Sequence, residues 1–362
     1  MSTFKGLIAE IEGISVDQFQ RDNHKSRVFF LSHCHSDHVK GIDTDKFYNY
    51  LANKKYSIYV SEVSAIILKA HTILIPKSPN GEEKSISVSL IPTDHCPGSV
   101  MFLFKTPDKV VLYTGDFRMD PKSLPMIKHL NDSGKPLSID KMYFDSTFWN
   151  EDFPYFPSLE ESCRTITKLI SEWISEGKEY IVNINIPAYY GSELLYKDVK
   201  NVLKMTEMEG VFTGNPMETQ IHSCTKIKGD AMRQLTCRDI TGLKIRQIRP
   251  TAPYWNKSKM TEGKAILQKD NNKFRVCYSS HSSFNELKGF IKYLKPKAIE
   301  PCVVPKDIIK KENFYESINF FCKDFLEVPC KMPVDSNREK IISMNFCLSR
   351  FARKISGSSR AF

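Results

Sequence analysis

The segment LSHCHSDH, Leu31–His38, constrains this chain more than any other part of its sequence. It begins where a strand-like run, RVFFL, ends, and it fits the pattern His-x-His-x-Asp-His. Side chains alternate along an extended segment, so His33 and His35 point the same way and can share one metal ion. Asp37 and His38 follow and can reach a second ion, and both residue types are usual zinc ligands. The segment predicts a metal site at a strand end; the alternative is a polar loop that opens a helix.

Polar groups also follow other predicted strands. Asp94 and His95 come after ISVSLI, and Asp116 comes after VVLY. His281 follows a strand that begins at Phe274. A single histidine or aspartate in a turn is more often structural. Together, however, these groups have the layout expected of a two-metal site on the rim of a sheet.

The pattern of apolar residues predicts alternating strands and helices. Short β-branched or aromatic runs bounded by turn residues are typical of strands, and apolar residues at spacings of three and four are typical of helices. The predicted strands are Arg27–Leu31, Ser57–Val60, Ile86–Ile91, Val100–Phe104, Val110–Tyr113, Tyr180–Asn185, Phe274–Ser279 and Ala298–Val304. The predicted helices are Ser61–Ala70, Leu159–Ile174 and one that Ser282 or Ser283 caps and Pro296 ends. A second unit, more α/β in character, is expected from about residue 159.

Composition narrows the class of protein without naming a function. A length of 362 residues predicts two or three domains. The ten cysteines, with no export signal in the sequence, indicate reduced thiols or metal ligands rather than a disulfide scaffold. The sequence contains no run of about 18 apolar residues, which argues against a transmembrane helix. The formal charge of +10 favours an anionic partner, although only weakly.

Four motifs, HCHSDH, HCPGS, TGDF and the later His281, together resemble the metallo-β-lactamase fold. The segment FDSTF, Phe144–Phe148, resembles the first signature of the β-CASP nucleases, in which a second domain is inserted into that fold. The motif order is similar to the DNA cross-link repair branch from Met1 to about Val304. The resemblance implies an α/β fold, a metallo-β-lactamase αββα sandwich with an inserted α/β β-CASP domain. It predicts a first part at 1–150, an insert at 151–270, a return segment at 271–345 and a tail at 346–362.

The resemblance also implies a role for each polar group around one or two zinc ions. The implied ligands are His33, His35 and His95 for the first zinc, Asp37, His38 and His281 for the second, and Asp116 as the bridge between them. Asp17 would support the ligand cluster, and Asp145 would lie beside the metals. With Asp37 and Asp116 they form the implied catalytic carboxylates. On the residues alone, Asp17 could instead be a surface acid and Asp145 a helix cap or turn acid.

The implied reaction is hydrolysis of a DNA phosphodiester that leaves a 5′-phosphate. Val303 stands where the family's DNA enzymes have valine and its RNA enzymes typically have histidine, which favours DNA. Either Asp145 or a water could protonate the leaving oxygen, and both remain open. The hydroxyls of Thr147, Ser282 and Ser283 could contact phosphate, or they could simply cap local structure.

Three functions compete at this point. The first is an endonuclease on hairpins and overhangs and a 5′-3′ exonuclease, in double-strand break repair by non-homologous end joining. It implies a nuclear monomer that binds single-stranded and hairpin DNA ends, with a DNA-dependent protein kinase and end-joining factors as partners. The second is an RNA-processing β-CASP nuclease. The third is a non-catalytic repair scaffold, which the intact set of predicted ligands disfavours. A small-molecule hydrolase of the same fold is a minor fourth.

A possible structural zinc site is suggested by His222, Cys224 and Cys237, which resemble a site found in this branch. Histidine and thiolate ligands suit a closed tetrahedral zinc, but that site needs four ligands. Either the site is incomplete, Glu207 or Glu209 supplies the fourth ligand, or the zinc has been lost. A buried histidine with two core cysteines explains the residues equally well.

Overall fold

The protein is described by a computed structural model that covers residues 2–54, 56–70, 86–186, 195, 218–223, 237, 240–260 and 265–332. Its strands are β1 (Ile14–Val16), β2 (Val28–Leu31), β3 (Ser57–Val60), β4 (Ser87–Pro92), β5 (Val100–Lys105), β6 (Val110–Tyr113), β7 (Asn131–Asp132), β8 (Lys135–Pro136), β9 (Lys141–Phe144), β10 (Tyr180–Ile184), β11 (Ile221–His222), β12 (Lys244–Thr251), β13 (Ile266–Asp270), β14 (Lys273–Cys277) and β15 (Ala298–Pro301). The α-helices are α1 (Asp45–Lys54), α2 (Glu62–Ala70), α3 (Leu159–Ile174), α4 (Phe284–Leu294) and α5 (Ile308–Cys322). Short 3₁₀ helices lie at Arg21–Asn23, Pro121–Met126 and Lys128–Leu130.

Two sheets face each other across a buried core. The first has the parallel order β1-β2-β3, and the second has the mixed order β15-β9-β6-β5-β4. Side chains alternate along each strand, so one strand serves two cores. In β5, Phe102 and Phe104 pack toward the first sheet, against Phe30, while Met101 and Leu103 pack on the opposite face. This alternation explains why β5 is apolar throughout.

Helices cover the outer faces of both sheets. On the first sheet, Phe29 and Leu31 of β2 pack against Phe47 and Leu51 of α1. On the second, Leu103 packs in one cluster with residues of α4 and α5, among them Leu287, Phe290 and Ile318. The layers are therefore helix, sheet, sheet and helix, which is the predicted αββα sandwich.

A separate sheet forms the second unit. Its strand order is β11-β10-β12-β14-β13, parallel except for β13 at the edge. Helix α3 packs on it through residues such as Ile166 and Ile170, and a capping box formed by Ser158 and Glu161 starts that helix. This unit leaves the sandwich after β9 and returns before α4, so it is inserted into the sandwich sequence, as predicted.

The predicted elements that lie within the described residues are present, with ends that differ by a few residues. Helix α4 begins after Ser283, whose side chain accepts a hydrogen bond from the backbone of Glu286, so Ser283 rather than Ser282 is the cap. The helix ends at Leu294, and Lys295, in a left-handed conformation just before Pro296, is its C-cap. None of the helices in the described part of the chain has the length and apolar character that a membrane crossing needs.

Candidate metal centre

Three imidazoles converge beyond the ends of β2 and β4. The Nδ1 atom of His35 lies 3.1 Å from Nε2 of His33 and 3.0 Å from Nε2 of His95. Nδ1 of His95 lies 2.8 Å from the carbonyl of Ser280, which can only accept, so that nitrogen carries the proton. Nε2 of His95 therefore presents a lone pair to the trio when the ring is neutral. Nδ1 of His33 is bonded in turn to the Ser32 hydroxyl at 2.9 Å.

One carboxylate oxygen lies at the centre of four imidazoles. Oδ2 of Asp116 is 3.4 Å from Nε2 of His38, 3.6 Å from that of His95, 3.7 Å from that of His33 and 3.9 Å from that of His281. These separations exceed ordinary hydrogen-bond lengths. They suit a carboxylate and imidazoles that would bind metal ions lying between them. The position of Asp116 therefore fits the bridging role that the sequence implies.

Carboxylates orient the two histidines on the other side of Asp116. Nδ1 of His38 donates to Asp17 Oδ2 at 2.8 Å, and Nδ1 of His281 donates to Asp145 Oδ2 at 2.7 Å. Each Nε2 is thereby turned toward Asp116. The buried Nε2 of His38 makes no hydrogen bond within the described residues, and such an atom calls for an explanation. A metal ion supplies that explanation, so the donor set fits the group that the fold implies.

Asp17 is itself held in place by donors from separate elements. Its carboxylate accepts hydrogen bonds from the backbone of Ser32 at 2.7 Å, from the Ser32 hydroxyl at 2.6 Å and from Tyr113 at 2.8 Å. Its backbone has φ 56°, a left-handed conformation that aspartate tolerates better than most residues. Asp17 is therefore not a surface acid, since it is buried with its charge fully hydrogen-bonded.

The histidines fall into two electrostatic groups. Burial, with His281 nearby, lowers the pKa of His95 to about 4, and burial with His38 nearby lowers the pKa of His33 well below its usual range. Burial also disfavours the charged form of His281, but the Asp145 and Asp116 carboxylates outweigh it and raise its pKa to about 9. The same competition raises the pKa of His38 well above its usual range. Burial alone would raise the pKa of Asp116, yet the surrounding histidines hold it well below its usual range.

The structure brings together all the side chains that the sequence implied as active-site ligands. Two compact groups, His33 with His35, His95 and Asp116, and Asp116 with Asp145 and His281, have potential ligand atoms within 4.8 Å of one another. Asp37 is more peripheral, with Oδ2 3.8 Å from Nε2 of His38. Metal binding by these residues stays a prediction.

The three hydroxyls predicted to contact phosphate have partners inside the protein. Thr147 donates to Asp145 at 2.6 Å, Ser282 donates to the carbonyl of Phe117 at 3.3 Å, and Ser283 caps α4. Ser282 and Ser283 are both buried. These contacts favour the capping alternative, and a phosphate role stays a prediction.

The accessory zinc site is only partly within the described residues. His222 is buried, and its Nε2 lies 2.7 Å from the carbonyl of Thr219. Cys237 is also buried. Cys224 lies outside the described residues, as do Glu207 and Glu209, the two candidates for the fourth ligand. The accessory site therefore stays a prediction.

Two residues important to the site were missed by the sequence reasoning. Tyr113 ends β6 directly before the TGDF motif, and a tyrosine at that strand end was the available signal. Arg118 follows the same motif and is buried. Its guanidinium donates to the carbonyls of Ser279, Phe156 and Pro157 at 2.8, 3.2 and 2.7 Å, joining both connections of the second unit to the sandwich.

The sequence of this chain is similar to those of known proteins. The profile of the family "DNA repair metallo-beta-lactamase" matches residues 206–307. Protein artemis of Mus musculus is 32% identical over 344 residues, covering 84% of this chain and 49% of its own length. Protein artemis of Homo sapiens is also 32% identical, with 84% and 50% covered.

A second group of relatives is more distant. The 5′ exonuclease Apollo of Rattus norvegicus is 27% identical over 319 residues, covering 82% of this chain and 55% of its own length. The chain thus spans about half the length of the relatives that it matches.

Proposed function

Since this chain is an Artemis-like protein of the metallo-β-lactamase/β-CASP family, we propose that it is a zinc-dependent nuclease that hydrolyses DNA phosphodiesters. The observation that carries the proposal is the position of Asp116 Oδ2, 3.4–3.9 Å from four imidazole nitrogens at the rim of the sandwich. An arrangement of nitrogen and oxygen donors around one carboxylate suits a zinc pair better than it suits calcium or magnesium, which prefer oxygen ligands. The match to the family "DNA repair metallo-beta-lactamase" favours DNA as the substrate, and the similarity to the 5′ exonuclease Apollo favours a nuclease.

The proposed ligands divide between two ions. His33, His35 and His95 would hold the first, Asp37, His38 and His281 the second, and Asp116 both. When bound, the ions would lower the pKa of a water toward about 7 and take up charge on the phosphate. Asp17 and Asp145 would orient His38 and His281 through their Nδ1 atoms, so that each Nε2 remains available.

Asp145 acts in this proposal as a positioning carboxylate rather than as the proton donor. It accepts hydrogen bonds from His281, from the hydroxyl and backbone of Thr147, and from the backbone of Phe117. These hydrogen bonds hold the carboxylate against Nδ1 of His281, so its role in the proposal is to orient that ring. Water would then protonate the departing 3′-oxygen, and the product would carry a 5′-phosphate.

The finer biological assignment is part of the same proposal. We infer an endonuclease on hairpins and overhangs with 5′-3′ exonuclease activity, working in the nucleus in non-homologous end joining. A DNA-dependent protein kinase and end-joining factors are the proposed partners, and the chain is proposed to act as a monomer. The name of Apollo, a 5′ exonuclease, supports the exonuclease part. Val303 supports DNA over RNA.

The sequence predicts a sandwich at 1–150 and 271–345, an insert at 151–270 and a tail at 346–362, the last outside the described residues. We propose the same order of parts, with the return to the sandwich placed just after Cys277. The sheet pairings support an insert, because β10 to β14 pair only with one another among the described strands. Strand β14 (Lys273–Cys277) belongs to the sheet of the insert, which favours a return to the sandwich just after Cys277.

The test uses purified protein with matched 5′-labelled DNA hairpin, single-stranded DNA and RNA, with and without a chelator. We expect chelator-sensitive cleavage of DNA that is lost in Asp37→Ala and kept in Asp43→Ala, a nearby exposed aspartate. Equal cleavage by Asp37→Ala and wild type would refute the two-metal proposal. Preference for RNA would promote the RNA-processing alternative, and DNA binding without cleavage would promote the scaffold.

A further inference from the structure

The N-terminal segment Ser2–Phe4 reaches the rim of the metal centre. The backbone N–H of Ser2 donates to Oδ2 of Asp37 at 2.8 Å. Asp37 is a predicted ligand of the second ion, and its partner in this bond lies 35 residues away in the sequence. The bond therefore helps to orient a ligand carboxylate from outside the loop that carries it.

Thr3 fastens this segment to the connection that follows β15. Its backbone N–H donates to the carbonyl of Cys302 at 2.8 Å. Its hydroxyl donates to the same carbonyl at 3.1 Å and accepts from the N–H of Val304 at 3.1 Å. One hydroxyl thus uses its donor and one acceptor position on neighbouring backbone groups. Phe4, which follows, is buried against the rings of Tyr113 and Tyr143, at 5.4 and 5.2 Å between centroids.

The same connection is fastened on its other side by Ser146. The Ser146 hydroxyl donates to the carbonyl of Val303 at 2.6 Å and accepts from its N–H at 3.0 Å. Ser146 directly follows Asp145, the carboxylate that orients His281. Contacts therefore run from Asp37, through the N-terminal segment and residues 302–304, to His281.

We propose that Ser2–Phe4 is a positioning strap that fixes the ligands of the second metal ion relative to each other. This inference rests on the proposed metal centre. The strap links Asp37 on one side of that ion with the Asp145–His281 pair on the other. The first trio is anchored differently, through Ser32 and the carbonyl of Ser280. Loosening the strap should weaken the second site and spare the first.

The test compares two substitutions of Thr3, an exposed residue whose side chain can be changed with little risk to the core. Thr3→Val keeps the shape and removes the hydroxyl, whereas Thr3→Ser keeps the hydroxyl. Each is titrated with zinc in the presence of a competing chelator, and native mass spectrometry counts the bound ions. Ser146→Ala, which loosens the other end of the connection, serves as the second variant.

Thr3→Val should raise the dissociation constant of the second ion about threefold to tenfold, since it removes two hydrogen bonds each of modest net strength. The first ion should bind as in wild type, and Thr3→Ser should restore most of the second-site affinity. A purely structural role would weaken both ions together or neither.

Three outcomes would overturn the proposal. One is an unchanged second-site affinity in both Thr3→Val and Ser146→Ala. Another is an equal loss at both sites in Thr3→Val. The last is a wild-type chain that binds a single ion, which would remove the strap's role while leaving a one-metal nuclease intact. Wild-type protein that binds no ion at all would instead refute the proposed function itself.

Discussion

Replacing Asp17 by asparagine should weaken both the fold and the metal centre. The substitution keeps the shape of the side chain, and asparagine also tolerates the left-handed backbone at this position. It removes the charge and places an NH₂ group where an oxygen accepted hydrogen bonds. Oδ2 accepts from Ser32, His38 and Tyr113, while Oδ1 accepts from the backbone of Ser32. In either orientation of the amide, the new NH₂ group therefore faces at least one group that is itself a hydrogen-bond donor.

The size of the effect follows from those four hydrogen bonds. The favoured orientation keeps the carbonyl oxygen toward the three donors at Oδ2 and faces the NH₂ toward the backbone N–H of Ser32. Hydrogen bonds to a charged acceptor contribute about 1.5–3 kcal/mol and neutral ones about 0.5–1.5 kcal/mol, and an unsatisfied buried donor costs about 1–3 kcal/mol. Because hydrogen bonds that share one carboxylate do not contribute independently, we take the expected loss from the comparable case of breaking a buried charge pair, which costs about 3–5 kcal/mol. Loss of the carboxylate behind His38 should also lower metal affinity about 10–100-fold.

The assay is urea unfolding of the metal-free protein, followed by zinc titration against a competing chelator. Tyr113→Phe is the matched control, because it removes one of the same hydrogen bonds and leaves the carboxylate charged. It should cost about 1.5–3 kcal/mol, the range for one hydrogen bond to a charged acceptor, and change the metal affinity far less. The reasoning would be refuted if Asp17→Asn proved no more destabilising than Tyr113→Phe, or if it bound zinc as wild type does.

Three further predictions concern the surroundings of the site. Arg118→Lys should destabilise the fold by about 3 kcal/mol in urea unfolding, because one ammonium cannot reach the carbonyls at both connections of the insert. A change below about 1 kcal/mol would contradict the inference that Arg118 joins these connections. Ser283→Ala should lower stability by about 1 kcal/mol through the lost cap of α4, measured by thermal unfolding, with Ser283→Asp close to wild type. In the metal-free chain the raised pKa of His281, about 9, means that its protonation stabilises the fold fully below about pH 6.5 and that this contribution is lost as the pH rises to 9. Urea midpoints should fall across that window and fall less in His281→Gln; equal slopes would contradict the assignment.

The sequence predicted which polar side chains lie close together, because these residues lie directly after strands. In a sandwich the strand ends meet at one rim, so His33, His95 and Asp116 had to lie near one another once the strands were recognised. The hydrogen bonds behind them were not predictable. Tyr113 reaches Asp17 across 96 residues of sequence, and no local pattern encodes that contact. The sequence predicts the insert least completely, since its apolar residues show weak periodicity and β11, β12 and β13 are not among the predicted strands.

The two proposed ions differ in what lies behind their histidines, and this difference should appear when the protein is acidified. Neutral groups, the Ser32 hydroxyl and the Ser280 carbonyl, support the first trio, whereas the carboxylates Asp17 and Asp145 support His38 and His281. Burial lowers the pKa of His95 to about 4, whereas the Asp145 and Asp116 carboxylates outweigh burial and raise the pKa of His281 to about 9. Because a histidine must be neutral to bind a metal, the second ion must displace protons that the first ion does not meet. Native mass spectrometry between pH 8 and pH 5.5 should therefore show the second ion leaving first. Simultaneous loss of both ions would mean that Asp116, which both share, and not the support behind each histidine, governs their affinity.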